Sequence, residues 1–102
     1  MADKIEWRRV TIPVEFIVSN DGQVKSGLTG KLLRPAKRRG YGRVRAHHSV
    51  HILVAKAFIP NPDDLPIVNH KSNDRSDNSA KNLEWCTAAE NTRHAHRGGF
   101  VP

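Results

Sequence analysis

The sequence predicts a small α+β fold, in which an N-terminal module of antiparallel strands precedes a strand–strand–helix unit. Alternating apolar residues and turn signals fill the first third of the chain, whereas a helical period begins at Ser49. Two short apolar segments and a helix-capping sequence follow that helix. With 102 residues, 37% of them apolar, the chain can build one modest hydrophobic core.

The first predicted element is an antiparallel strand pair. Apolar residues alternate over 14–18, Asn20-Asp21-Gly22 is a turn signal, and the alternation resumes over 24–26. A second pair is predicted at 32–33 and 42–46, joined by a basic connection. Because strand twist matches groove curvature, such a ribbon can enter a DNA groove, where its cations meet phosphates.

Positive charge is concentrated in this connection and its flanks. The chain has 17 Lys and Arg residues against 10 Asp and Glu, and no acidic residue lies between Gly22 and Pro62. The dense part of the basic segment contains Lys31, Arg34, Lys37, Arg38, Arg39, Arg43 and Arg45. This density predicts a polyanionic partner such as nucleic acid, and a solvated basic face is the alternative.

An apolar stripe predicts a helix that begins after Ser49. The stripe has the i, i+3, i+4, i+7 spacing and consists of Val50, Leu53, Val54 and Ala57. Ser49 is a suitable N-cap, and Pro60 and Pro62 end the helix. His51 lies off the stripe, and we interpret it as a partly buried packing residue rather than a ligand.

A strand–loop–strand–helix unit completes the prediction. Residues 66–70 form a short apolar strand that ends in two polar side chains, a polar loop spans 71–81, and a second strand spans 82–86. A T-x-x-E capping box at Thr87 starts the final helix. The loop residues that we expect to set its turns are Asn73, Asp74, Asp77 and Asn78.

The apolar residues of the second strand predict the local core. We expect Leu83 and Trp85 to fill the interior, and Cys86 to be a small buried hydrophobe. As the only cysteine, Cys86 excludes an intrachain disulfide framework and a multi-cysteine zinc site.

His70 and Asn91 are candidate partners in hydrolysis. The pKa of an unperturbed imidazole is about 6.5, so a neutral His70 could take a proton from water. The amide oxygen of Asn91 suits Mg²⁺, which keeps most of its waters in proteins. A phosphodiester between them could then be hydrolysed. The alternative interpretation, from residue type alone, is that His70 and Asn91 are ordinary polar surface residues.

Three ordered motifs resemble those of HNH (His-Me finger, ββα-metal) nucleases. They are Val68-Asn69-His70, Asn82-Leu83-Glu84-Trp85 and Glu90-Asn91-Thr92-Arg93-His94-Ala95. His70 to Asn82 is 12 positions and Asn82 to Asn91 is 9, as in the H-N-N variant of the motif. Residues 50–62 and 18–24 are also similar to phage- and intron-associated HNH homing endonucleases, so the resemblance covers nearly the whole chain.

The resemblance implies a DNA endonuclease with one Mg²⁺ or Mn²⁺ ion per active site. It implies His70 as the general base, Asn82 as a brace of the loop that fixes the ring of His70, and Asn91 as a metal ligand. Such nucleases commonly have an Asp metal ligand before the base, whereas this chain has Asn69. Since two amides bring no negative charge, we expect weak Mg²⁺ affinity without DNA.

The same resemblance implies double-stranded DNA as the partner of the basic residues. Arg93 would contact the scissile phosphate, or alternatively form a surface salt bridge. We expect residues 1–48 to be a basic β-rich DNA-binding module and residues 49–102 to be the nuclease unit with its preceding helix. The chain would be a monomer or a homodimer.

The main alternative is a catalytically inactive DNA-binding module with an HNH-like fold. Asn69 in place of an acidic residue favours it. In either case the chain has no stretch close to the roughly 20 apolar residues that span a bilayer, so we expect no membrane association and a cytoplasmic location.

Overall fold

The structure, a computed structural model, describes residues 4–11, 15–38, 40–45 and 48–97, without the side chains of Arg38 and of residues 93–97. Four strands form the first antiparallel sheet, in the order β1-β2-β3-β4. Their bounds are β1 Trp7–Val10, β2 Phe16–Ser19, β3 Val24–Ser26 and β4 Leu32–Leu33.

The first sheet confirms the alternating pattern and corrects one pairing. Gly22 takes a φ of +96° in the predicted turn, a conformation that glycine adopts without strain. Leu33 pairs with Val24 of β3, so the prediction that residues 32–33 pair with 42–46 was wrong. The main-chain N–H of Ser26 donates to Lys31, which returns the chain directly onto β3. Val14 lies outside the described residues.

The basic connection is itself part of a second antiparallel sheet. Its strands are β5 Ala36–Arg38, β6 Tyr41–Val44 and β7 His48–Ser49. Lys37 pairs with Gly42, where a connecting stretch was predicted. A tight turn at Gly40, with a φ of +82°, is the local reason that β5 and β6 can pair.

Helix α1 spans Val50–Phe58 and joins the two sheets to the rest of the chain. It begins after Ser49, as predicted, although the Ser49 side chain makes no capping hydrogen bond. The helix packs against strands of both sheets and of the following unit. One core cluster therefore runs through the described chain, and it contains Val10, Phe16, Val18, Val24, Val44, Val50, Leu53, Val54, Ala55, Val68 and Leu83.

The last unit is a strand pair followed by a helix. Strand β8 spans Ile67–His70, β9 spans Leu83–Cys86, and helix α2 spans Ala88–Arg97. The two strands are antiparallel, with His70 opposite Leu83. Cys86 is buried, as predicted. The α+β class, with antiparallel strands before a ββα unit, is confirmed.

Trp85 packs against the core without being fully enclosed by it. Its ring is partly buried, and its indole N–H donates to the main-chain oxygen of Ile59 at 3.0 Å. Among the described residues, no helix is long and apolar enough to cross a bilayer. The division at residues 48 and 49 stays a prediction.

The predicted capping box is present at the start of α2. The hydroxyl of Thr87 accepts from the N–H of Glu90 at 3.2 Å, and the Glu90 carboxylate accepts from the N–H of Thr87 at 3.1 Å. We predict that Thr87→Ala lowers the free energy of unfolding by about 1 kcal/mol, because a main-chain N–H loses its partner. Urea denaturation would measure the change.

The matched control is Thr92→Ala, further along the same helix. The Thr92 hydroxyl donates to the carbonyl oxygen of Ala88, which the helix itself already orients. Since alanine is the better helix former, this variant should be as stable as the parent chain or slightly more so. Equal losses in both variants would contradict the capping role of Thr87.

Candidate active site

A cavity of about 330 Å³ lies where β6, α1, β8 and α2 meet. Its walls include Asn69 and His70 from β8, Asn91 from α2, His51 from α1 and Tyr41 from β6. Three of the residues singled out in the sequence, Asn69, His70 and Asn91, therefore border one space. Asn82 is not among the described residues that line the cavity.

His70 is held by a hydrogen bond through one of its ring nitrogens. The residue is only 5% exposed, and its Nε2 lies 2.8 Å from Oδ1 of Asn78. Because an amide oxygen can only accept, Nε2 must donate, and the lone pair of the neutral ring is then on Nδ1. Among the described residues, Nδ1 has no hydrogen-bond partner. The nitrogen that could act as a base is thus the one left unbonded.

Asn78 was expected to set a turn of the loop, and that interpretation was wrong. Its side chain reaches back to His70 instead. Asp74 and Asp77 do form local turns, since each carboxylate accepts from the serine two positions later. These bonds from Ser76 are the main reason that the pKa of Asp74 lies below its ordinary value.

Asn69 is buried beside His70, and its amide group is oriented by a carboxylate. Asn69 faces Glu84 across the strand pair, and its Nδ2 donates to Oε1 of Glu84 at 3.0 Å. Because the amide nitrogen already donates to Glu84, the amide oxygen is the group of Asn69 that remains to bind a cation. Glu84 also brings a negative charge close to the cavity, because it contacts Asn69 of the cavity wall directly.

Asn82 joins both parts of the loop between the two strands. It ends a 3₁₀ turn, Ala80–Asn82, and is buried. Its Oδ1 accepts from the N–H of Ser72 at 3.0 Å, and its Nδ2 donates to the carbonyl oxygen of Asp77 at 2.9 Å. Its own carbonyl oxygen accepts from Lys71 at 2.7 Å. One side chain therefore closes the loop that carries Asn78.

His51 is a site residue that the sequence interpretation missed. It was placed off the apolar stripe as a partly buried packing residue, yet it is 8% exposed and lines the cavity. Its ring lies 4.8 Å from that of His70 and stacks on Tyr41 at 5.2 Å. The available signal was the resemblance of residues 50–62, which include His51.

His51 is uncharged at neutral pH. Burial, followed by the nearby charges of His70 and Arg43, lowers the pKa of His51 to about 4. Its Nδ1 is buried and has no hydrogen-bond partner within the described part of the chain. A neutral second imidazole therefore lies beside His70.

Arg75 and Tyr41 form another part of the cavity wall. The Arg75 guanidinium lies 4.6 Å from the centre of the Tyr41 ring, in a cation–π arrangement. Both residues line the cavity. No prediction from the sequence named either as a site residue, because a single Arg in a polar loop carries no pattern.

Of the predicted nucleic-acid-binding residues, those with described side chains do not line the cavity. Lys31 and Arg34 flank β4 of the first sheet, whereas Lys37 and Arg43 belong to β5 and β6 of the second. Those with exposed side chains are Lys31, Arg34, Lys37 and Arg45. Arg43 is half-buried, and its Nε has no partner among the described residues. Arg39 and the side chains of Arg38 and Arg93 are outside the described part.

The burial of His51 predicts a pH-dependent stability. Its pKa is about 4 in the folded chain and about 6.5 when unfolded, so between these values the unfolded state binds an extra proton. Stability should therefore fall as the pH drops from 7 to 4, by about 2–3 kcal/mol from this residue. Denaturant unfolding of the parent chain and of His51→Gln over this range would measure the difference.

The Gln variant has no titrating group at this position. It should show a shallower loss of stability on acidification than the parent chain, even if its stability at pH 7 is lower. Parallel pH profiles for the two proteins would show that His51 is not buried in its neutral form.

Known proteins are similar to this chain in sequence. Residues 48–93 match the model of a family described as HNH endonuclease. The uncharacterized HNH endonuclease L245 of Acanthamoeba polyphaga mimivirus is 33% identical over 93% of this chain, and L247 of the same virus is 41% identical over 87%. The chain spans 31% and 25% of the lengths of these two relatives.

A solved structure has the same fold. The HNH homing endonuclease I-HmuI of Bacillus phage SP01, whose structure describes DNA binding and cleavage, superimposes with a TM-score of 0.76. The match has 29% sequence identity and covers 95% of this chain and 61% of that protein. The matched family model includes the strand pair, α1 and the start of α2, which border the cavity, and in these elements the chain is similar to HNH endonucleases.

Proposed function

We propose that this chain hydrolyses phosphodiester bonds of DNA with one divalent metal ion, using His70 as the general base. The observation that carries the proposal is the shared cavity of His70, Asn69 and Asn91. A base and two oxygen ligands that border one space can act on one phosphodiester. The match of residues 48–93 to the HNH endonuclease family model supports the same reaction.

In this proposal His70 takes the proton of the attacking water at Nδ1. Nε2 is already bonded to Asn78, so the neutral ring presents its lone pair at the other nitrogen. The ring is buried and cannot exchange this bond easily for water. Asn82 acts indirectly, because its three hydrogen bonds hold the loop from which Asn78 reaches the ring.

The residues of the cavity fit a hard cation such as Mg²⁺ or Mn²⁺. Asn69 and Asn91 would hold it through their amide oxygens, the ligand type that these ions accept. The hydrogen bond from Asn69 to Glu84 commits the amide nitrogen and leaves the oxygen for this purpose. When bound, the metal would stabilise negative charge on the leaving oxygen. Since both amides are neutral, the DNA phosphate would supply much of the attraction.

Double-stranded DNA is the proposed substrate. I-HmuI is described as binding and cleaving DNA, and its match covers 95% of this chain. The described basic residues outside the cavity, such as Lys37 on β5, could neutralise DNA phosphates. Arg75 and Tyr41 at the cavity wall could contact the substrate closer to the reaction.

A second candidate is a DNA-binding module without activity. Asn69 favours it, since this position lacks the carboxylate expected beside the base. The carboxylate of Glu84, bonded to the Asn69 amide, argues for the enzyme because it returns a negative charge to this region. Nicking of supercoiled plasmid with Mg²⁺ or Mn²⁺, and its loss with EDTA, would distinguish the two.

The variant His70→Ala tests the base directly. We predict a fall in the nicking rate of about 100- to 10,000-fold, because that is the usual contribution of a positioned acid or base. DNA affinity, measured by fluorescence anisotropy, should be nearly unchanged. The control is His48→Gln, which alters a histidine of β7 that is not among the cavity residues. Nicking by His70→Ala at the parental rate would remove His70 as the base.

Salt dependence tests the basic segment. Replacing Lys37, Arg38 and Arg39 by Gln should weaken DNA binding and lower the slope of log affinity against log salt by about 0.9 for each phosphate that is no longer neutralised. Lys56→Gln is the control, an exposed lysine of α1 outside the dense segment. If the triple variant kept the parental slope, the DNA-binding surface would lie elsewhere.

A further inference from the structure

Asn78 has a contact to the proposed base that no motif of the chain predicts. Its Oδ1 lies 2.8 Å from Nε2 of His70, although the two residues are eight positions apart. Asn78 is half-buried and His70 is buried, so water competes poorly for this bond. The ring thus has one well-defined hydrogen-bond partner in the described structure.

Two glycines of the N-terminal sheets lie close to Asn78, and Gly22 leaves room that a side chain would fill. A Cβ on Gly22 would lie 3.0 Å from the carbonyl carbon of Asn78, and a Cβ on Gly42 would lie 3.6 Å from its side-chain Nδ2. The N–H of Ala80 also donates to the carbonyl oxygen of Asn20 at 2.7 Å. The turn of the first sheet and strand β6 therefore lie close to Asn78.

We propose that Asn78 is a positioning residue, which holds neutral His70 in the tautomer that has its proton on Nε2. The proposal rests on the proposed function only in that His70 is the base. The side-chain oxygen of Asn78 accepts the Nε2 proton, so the lone pair is on Nδ1. The N-terminal sheets contribute to this selection, since they fix where Asn78 lies.

The proton balance shows why the tautomer matters. A neutral imidazole has one N–H, and the ring can accept a further proton only at the other nitrogen. With Nε2 protonated, Nδ1 takes the proton of water and the ring becomes imidazolium, while the bond from Nε2 to Asn78 stays in place. In the other tautomer the lone pair would be on the nitrogen that faces Asn78, and no proton could be taken at Nδ1.

The tautomer can be measured in the free parent chain. Long-range ¹H–¹⁵N NMR spectra distinguish the two nitrogens of a neutral imidazole, and the spectrum of His70→Ala identifies the signals of His70. The expected result is a protonated Nε2 and an unprotonated Nδ1 at a pH where the ring is neutral. A ring with its proton on Nδ1, or an equal mixture of tautomers, would overturn the proposal. This measurement needs neither metal nor DNA.

Two substitutions separate positioning from folding. Asn78→Leu keeps a similar size but removes the acceptor, and we expect a mixture of tautomers and a kcat lower by about 10- to 100-fold, with KM for DNA nearly unchanged. Asn78→Asp keeps an acceptor oxygen and should retain the parental tautomer and most of kcat. Parental tautomer and kcat in Asn78→Leu would contradict the proposal, as would loss of the tautomer in a folded Asn78→Asp.

Failure of this inference and failure of the proposed function give different results. Parental nicking by His70→Ala would remove the base, and with it the catalytic meaning of Asn78, whatever the tautomer. A proton found on Nδ1 of His70 would overturn the role of Asn78, while loss of nicking in His70→Ala would still support the base. If Asn78→Leu does not fold, the parent spectrum and Asn78→Asp decide the question.

Discussion

The antiparallel pairing of β8 with β9 fixes the relative positions of the groups at the candidate site. Its register sets Asn69 opposite Glu84 and His70 opposite Leu83, so the two polar residues end a strand whose Val68 belongs to the core. A slip of one residue would turn His70 to the opposite face of the pair. Asn82 then closes the intervening loop and returns Asn78 to the imidazole.

This arrangement buries polar side chains that a protein selected only for stability would avoid. His51 is held neutral with an unpartnered Nδ1, and Asn69 and His70 each give one N–H to a specific acceptor. Burying such groups costs free energy that apolar residues would not cost. The core formed by α1 and the first sheet offsets that cost, which gives the N-terminal strands a structural part in the site as well as the proposed contact with DNA.

The sequence predicted the elements better than the contacts between them. Period and capping signals located α1 and the start of α2, and the three motifs identified His70, Asn82 and Asn91 as candidates. Local patterns could not reveal that residues 32–33 return to β3, since short strands do not specify their partner. His51 and Asn78 were missed for a related reason, because they reach the cavity and His70 through tertiary packing that no local period encodes.

A crystal structure with duplex DNA and Mn²⁺ would test the central claim most directly. The account predicts one anomalous peak in the cavity, with the amide oxygens of Asn69 and Asn91 about 2.1 Å away and Nδ1 of His70 directed to the scissile phosphate. A peak bound elsewhere on the chain, with the ring of His70 and the amide of Asn91 facing separate regions, would contradict it.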